Sequence, residues 1–132
     1  MTPGGPCSRE ANSAPRPDER FRPQERIRRR ADYVAVYDGG RKIGGRLMTV
    51  FFLETRQERP RLGIAATRKY GSSVQRNRAK RLVREAFRRH KPAAGLDIVV
   101  IPRREMLGAN YLRVEADYLA ALERRLRRAH GQ

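Results

Sequence analysis

Apolar positions along the chain recur at spacings that predict an alternation of helices and strands. Leu47-Met48-Thr49-Val50-Phe51-Phe52-Leu53 is a dense aliphatic and aromatic run of strand length. The short break from Thr55 to Pro60 separates it from a second strand expected over Arg61 to Thr67, and a loop that short predicts an antiparallel pair. Arg41 to Gly44 reads as a short edge strand. Leu96-Asp97-Ile98-Val99-Val100-Ile101, bounded by Gly95 and Pro102, has the length and β-branching of a buried central strand.

Three helices are expected between and around these strands. In the first, Asp32 or a neighbour caps a short segment that ends where Gly39 and Gly40 permit a left-handed turn. The second starts at Ser72, whose partner Gln75 three residues on fits a capping box, and stops before Pro92. At about 100° per residue, Ala79, Leu82, Val83 and Ala86 share one side of it, with Phe87 at the edge. The third runs from about Asn110 to Ala129, with Tyr111, Val114, Tyr118, Leu122 and Leu126 as its apolar stripe. Residues 1–25, with five of the eight prolines and few large apolar groups, read as a flexible tail before a single domain over 26–132.

Charge changes the picture most. The net charge is +17 and the isoelectric point is near 11.5, so the partner is expected to be a polyanion, and nucleic acid before a membrane. Between Arg68 and Lys91 ten basic side chains stand against one acid, Glu85. Like charges four residues apart on a helix each cost a few tenths of a kcal/mol, so an external anion must offset them. Asn77, Arg81, Arg84 and Arg88 fall within an arc of roughly 60° opposite the apolar side. The orphan N–H groups of the helix start add to the attraction for phosphate.

No stretch approaches the roughly 18 apolar residues of a membrane span, and MTPGGPCSRE lacks the apolar core of a signal peptide. A cytoplasmic location is therefore expected. Cys7 is the lone cysteine and His90 and His130 are widely spaced, which argues against a zinc site and leaves the histidines as bystanders near helix ends. No nucleophile and base arrangement and no phosphate-gripping loop appears. Asp32, Asp38, Asp97 and Asp117 sit on unrelated elements and do not cluster as a two-metal site requires. Neither catalytic residues nor a protein metal site is expected.

The run Arg76-Asn77-Arg78-x-Lys80-Arg81-Leu82-x-Arg84-x-x-Phe87, preceded by Leu62-Gly63-Ile64-Ala65-Ala66-Thr67-Arg68-Lys69-x-Gly71, resembles the signature of the bacterial ribonuclease P protein family. The resemblance covers roughly Arg26 to Arg128. It implies an α+β fold, a small α/β sandwich ordered helix, three strands, helix, strand, helix. It also implies a left-handed crossover, as in the second domain of a ribosomal protein, which periodicity alone does not suggest. It further implies a subunit that pairs one to one with a large catalytic RNA and holds the 5′ leader of precursor tRNA. Mg²⁺ bound mainly by that RNA would drive cleavage to the mature 5′ end.

By the same resemblance Arg68, Lys69, Arg76, Asn77, Arg78, Lys80, Arg81, Arg84 and Arg88 would contact RNA. Tyr33, Tyr37 and Phe51 would line the leader cleft, with Tyr at two positions where the family tends to have Phe. From the residues alone, Tyr33 and Tyr37 at i and i+4 suit either core packing or a stacking platform, and the flanking cations favour the platform. Tyr70 stands where the family usually has a smaller residue and receives no role. Arg124, Arg125, Arg127 and Arg128 complement the end of the last helix dipole, with secondary RNA contacts as the alternative. Two other functions compete: a structural ribosomal protein that clamps ribosomal RNA, and a stand-alone nuclease.

Overall fold

A computed structural model describes residues 23–92 and 95–130. Its regular elements are α1 (Arg30–Gly39), β1 (Arg41–Gly44), β2 (Met48–Glu54), β3 (Arg61–Ile64), α2 (Ser73–Arg89), β4 (Leu96–Pro102) and α3 (Tyr111–His130). The four strands form one mixed sheet in the order β1-β2-β4-β3. Helix α1 packs on one face, while α2 and α3 pack side by side on the other. This is the expected α+β sandwich.

The hairpin expected between β2 and β3 does not form. Both strands pair with β4 instead, β2 antiparallel and β3 parallel. The reason lies in β4, whose residues from Leu96 to Val100 are all buried. A strand that buries both faces gains most in the middle of the sheet, so β4 inserts between the two. The 55–60 loop has only to bridge two strand spacings of about 4.8 Å. Arg41–Gly44 takes the edge position expected of it, in register with Phe52 to Thr49.

The larger core lies under α2 and α3 and includes Ile43, Met48, Val50, Phe52, Leu62, Ala79, Val83, Phe87, Ile98, Val100, Val114 and Tyr118. The apolar side of α2 is the expected one, with Phe87 fully buried rather than at an edge. Tyr118 and Val114 anchor α3, whereas Leu126, expected on the same stripe, is half exposed. Tyr70 also belongs to this core, which gives it a packing role at the base of the loop before α2. A smaller core of Ile27, Val36 and Val99 sits under α1.

Three local expectations are corrected. Asp32 does not cap α1: Arg29 holds the N-cap position with no side-chain cap bond, and Asp32 turns to Arg61, 3.5 Å away. Gly40 is not left-handed. Its lack of a side chain is needed because a Cβ there would stand 2.9 Å from the Phe52 carbonyl oxygen. The folded chain also starts earlier than Arg26. Pro23–Glu25 forms a 3-10 turn, and the buried Glu25 carboxylate accepts two hydrogen bonds of 2.9 Å from the Lys91 ammonium. The Ile27 N–H then donates to the Leu62 carbonyl, which attaches this segment to the β3 edge. The remainder of the expected tail lies outside the described residues, as do Cys7 and the side chain of His130.

Candidate nucleic-acid interface

The start of α2 is built as its sequence implies. The Ser72 hydroxyl accepts from the Gln75 N–H at 3.2 Å, and the Gln75 side chain accepts from the Ser72 N–H at 2.8 Å. This reciprocal cap satisfies two of the four orphan donors and presents Ser73, Val74, Asn77 and Arg81 to solvent. Arg68 and Lys69 project from the exposed loop just before it.

The nine basic and amide side chains expected to contact RNA do not stand alike. Arg76 folds back to donate to the Gly71 carbonyl and the Ser73 hydroxyl, at 3.1 and 3.2 Å. Arg78 donates to the Ala109 carbonyl and so braces α2 against the start of α3. Arg88 pairs with Glu85 at 2.6 Å, and Arg89 joins the same carboxylate at 2.7 Å. Those hydrogen bonds, the Arg88 one foremost, hold the Glu85 carboxyl below the usual carboxylate range. Arg68, Lys69, Asn77, Lys80, Arg81 and Arg84 make no side-chain hydrogen bond or ion pair with the described residues. The ridge inferred from helical spacing is therefore open at Asn77, Arg81 and Arg84 and closed off at Arg88.

Across the sheet, the three aromatic residues come together. The Tyr37 and Phe51 rings meet edge to face at 5.1 Å, and Tyr33 lies 6.5 Å from Tyr37. Tyr33 and Phe51 are partly buried against the α1 core, whereas Tyr37 is the exposed ring of the three, with 37% of its surface in water. Burial pushes the Tyr33 and Tyr37 hydroxyls above their usual range.

Gly63 is what seats Tyr33. A Cβ on Gly63 would stand 2.8 Å from the ring and hydroxyl of Tyr33, so the ring lies flush on bare β3 backbone. Beside it opens a cleft of about 210 Å³, lined by Arg26, Arg28, Tyr33, Gly63, Lys80 and Arg84 among others. Its lining contains four cations and no acid. Desolvation by burial, and then the nearby Arg26 charge, lower the proton affinity of Arg84. Arg26 and Arg28 were missed by sequence reasoning, because only the pairing of their segment with β3 brings them to α2. No signal within the RIRRR run separates them from its other members.

Three of the four aspartates singled out by the sequence, Asp32, Asp97 and Asp117, are engaged structurally. Asp97 is buried and makes a bidentate pair with Arg61 at 2.9 and 2.6 Å, and Asp32 approaches the same guanidinium. These two acids, expected to stand apart, thus share one arginine. Asp117 accepts the Arg46 and Leu47 N–H groups at 3.2 Å. His90 is not a bystander: it caps α2 and meets Glu115 at 2.7 Å, tying α2 to α3. Among the described residues no three His, Cys, Asp or Glu side chains come together as a metal site, and no helix is long and apolar enough to cross a membrane.

Known proteins are similar to this chain in sequence and in fold. The ribonuclease P protein component of Thermotoga maritima is 40% identical over 90 residues, covering 67% of this chain and 77% of its own. That of Oleidesulfovibrio alaskensis is 44% identical over 85 residues, 61% of this chain and 68% of its own. The structure is similar to that of the Thermotoga maritima RNase P protein, with TM-score 0.69 and 36% identity over 76% of this chain and 96% of that one. It is also similar to the Staphylococcus aureus RNase P protein, with TM-score 0.70 and 31% identity over 75% of this chain and 93% of that one. The family profile described as Ribonuclease P matches residues 21–126, and with the capped basic helix and the α+β sheet order beside these similarities, the chain belongs to the ribonuclease P protein family.

Proposed function

We propose that this chain is the RNA-binding subunit of a tRNA-processing ribonucleoprotein endonuclease. In this reading the open part of the α2 ridge grips the catalytic RNA, and the α1 face of the sheet holds the 5′ leader of precursor tRNA. The observation that carries it is the cleft in which Tyr33 lies beside Lys80 and Arg84 with no acid in the lining. A single strand needs both of those partners: cations along its backbone and a ring for its bases.

Each guanidinium that meets a phosphate steepens the slope of log K against log salt by about 0.7–0.9 and reads no sequence. Stacking on Tyr33, Tyr37 and Phe51 adds about 1–3 kcal/mol per base, again with little sequence preference. That tolerance suits a subunit that must accept many different leaders. Mg²⁺ held mainly by the RNA supplies the hydrolytic chemistry. The described residues offer no cluster that could hold it instead, with Asp32, Asp97 and Asp117 already engaged by Arg61 and backbone N–H groups. The subunit acts one to one with its RNA and in the cytoplasm.

Reconstitution tests this. Added to the catalytic RNA at low Mg²⁺, the chain should stimulate removal of the leader from precursor tRNA and bind leader-bearing substrate more tightly than mature tRNA. No stimulation, or equal affinity for the two, would remove the reading.

A further inference from the structure

A second cavity lies away from the leader cleft, at the opposite margin of the sheet. About 380 Å³ opens where the end of α1, the edge strand β1, β2 and the last turns of α3 meet, lined by Gly40, Arg41, Phe52, Leu53, Glu54 and Arg125. This lies within the ~300–1,000 Å³ typical of small-ligand sites. With the order β1-β2-β4-β3, three strand spacings, roughly 14 Å, separate β1 from β3.

In the lining two cations, Arg41 and Arg125, face one acid, Glu54. The Arg125 guanidinium lies 5.8 Å over the Phe52 ring, and its side chain is only 18% exposed. Its acidic partner is Glu54, 3.5 Å away on a side chain 83% exposed. Because the Glu54 carboxylate stands in water, solvent screens this pair and discounts it. Arg41 is exposed and makes no side-chain hydrogen bond or ion pair with the described residues. Farther along the same edge Arg124 donates to the Gly44 carbonyl and Arg103 to the Gly45 carbonyl, at 2.8 and 3.1 Å. The carbonyl end of the α1 dipole accounts for one cation nearby, not for this series.

We infer that the β1 margin is a second RNA-backbone site, with one phosphate seated in the cavity between Arg41 and Arg125 and the strand running along β1 past Arg124. The chain then bridges two RNA segments, one on α2 and one on the opposite edge. This rests on the RNA-binding reading above. RNA is the favoured polyanion because the net charge is +17, the groups are guanidinium forks suited to phosphate, and the cavity presents no apolar insertion face.

The test measures affinity for the catalytic RNA, and its salt dependence, with the full chain and three variants. Arg41→Glu changes an exposed side chain that folding does not use. Arg125→Lys keeps charge and most of the packing while losing the fork. Arg81→Glu serves as the α2 reference. Arg41→Glu should weaken binding and reduce the salt slope by about 0.9, with the ratio of affinities for leader-bearing and mature tRNA unchanged. Arg125→Lys should weaken binding in the same direction, and the Arg41→Glu and Arg81→Glu effects should multiply when combined. Unchanged affinity and slope for Arg41→Glu, beside a loss for Arg81→Glu, would overturn the second site and leave the proposed function standing. No effect from either would sink both, and a loss confined to leader-bearing substrate would show one continuous substrate path rather than two sites.

Discussion

Gly63 and Tyr33 show how much of the site depends on single atoms. The β3 backbone approaches the Tyr33 ring closely enough that a Cβ would collide with it at 2.8 Å. Gly63→Val should therefore push the ring off the sheet, and the preference for leader-bearing over mature tRNA should fall by the stacking of one base, about 1–3 kcal/mol. Paired binding titrations with the two RNAs check this, and an unchanged preference would mean Tyr33 touches no base. Tyr118 makes the opposite case. Its hydroxyl is buried without a hydrogen-bond partner among the described residues, and burial drives its pKa up. An unsatisfied buried polar group costs about 1–3 kcal/mol, so Tyr118→Phe should raise the melting temperature by a few degrees. Spacing of i and i+4 marks Tyr33 and Tyr37 as a pair, but the glycine that seats one of them is thirty positions away. Tyr70 likewise reads as anomalous in the run around it and as ordinary core once the loop is folded.

Helix α2 separates stability from binding along its own length. Ser72→Ala removes the cap and should cost about 1 kcal/mol, read as a lower urea midpoint at unchanged m-value. Arg81→Ala should leave that midpoint alone, because Arg81 is exposed and engages none of the described residues. It should instead flatten the salt slope of RNA binding by about one phosphate. A fall in stability with Arg81→Ala would show that the ridge is structural. The cap and the buried side of α2 are legible in sequence because they depend on neighbours three and four positions away. The state of each arginine is not. Glu85 captures Arg88 within the helix, but Arg78 finds its acceptor in Ala109, and nothing near Arg78 in the chain announces that.

At the scale of the whole molecule, α2 and α3 are joined through a set of ionisable groups. His90 and then the Tyr111 hydroxyl hydrogen-bond Glu115 and hold its carboxyl below the usual 4.5, while Arg88 and Arg89 do the same for Glu85. Burial, followed by the Glu115 hydrogen bond, pushes Tyr111 up to about 12. A depressed carboxylate pKa stabilises the folded state above the unfolded value and loses that contribution as pH falls through the folded one. Stability should therefore hold near neutrality and decline below about pH 4.5, where every lost carboxylate also adds to a charge already at +17. Urea midpoints from pH 7 to pH 3 should show this decline, shallower in Glu85→Gln. An equal decline in that variant would remove Glu85 from the account.

The chain's own short-range chemistry was enough to identify the strands, the capped basic helix, the apolar side of that helix and the excess of positive charge that helix carries. Each of these follows from residues within a few positions of one another, or from a sum over all of them. Packing at long range settled the rest. It set β4 between β2 and β3, because burying both faces of the most apolar strand outweighs the ease of a short hairpin. It brought Arg26 and Arg28 to α2 by pairing their segment with β3, gathered Asp32 and Asp97 on Arg61, and left some arginines open and others engaged. Such choices compare contacts between segments far apart in the chain, and no local pattern carries that comparison.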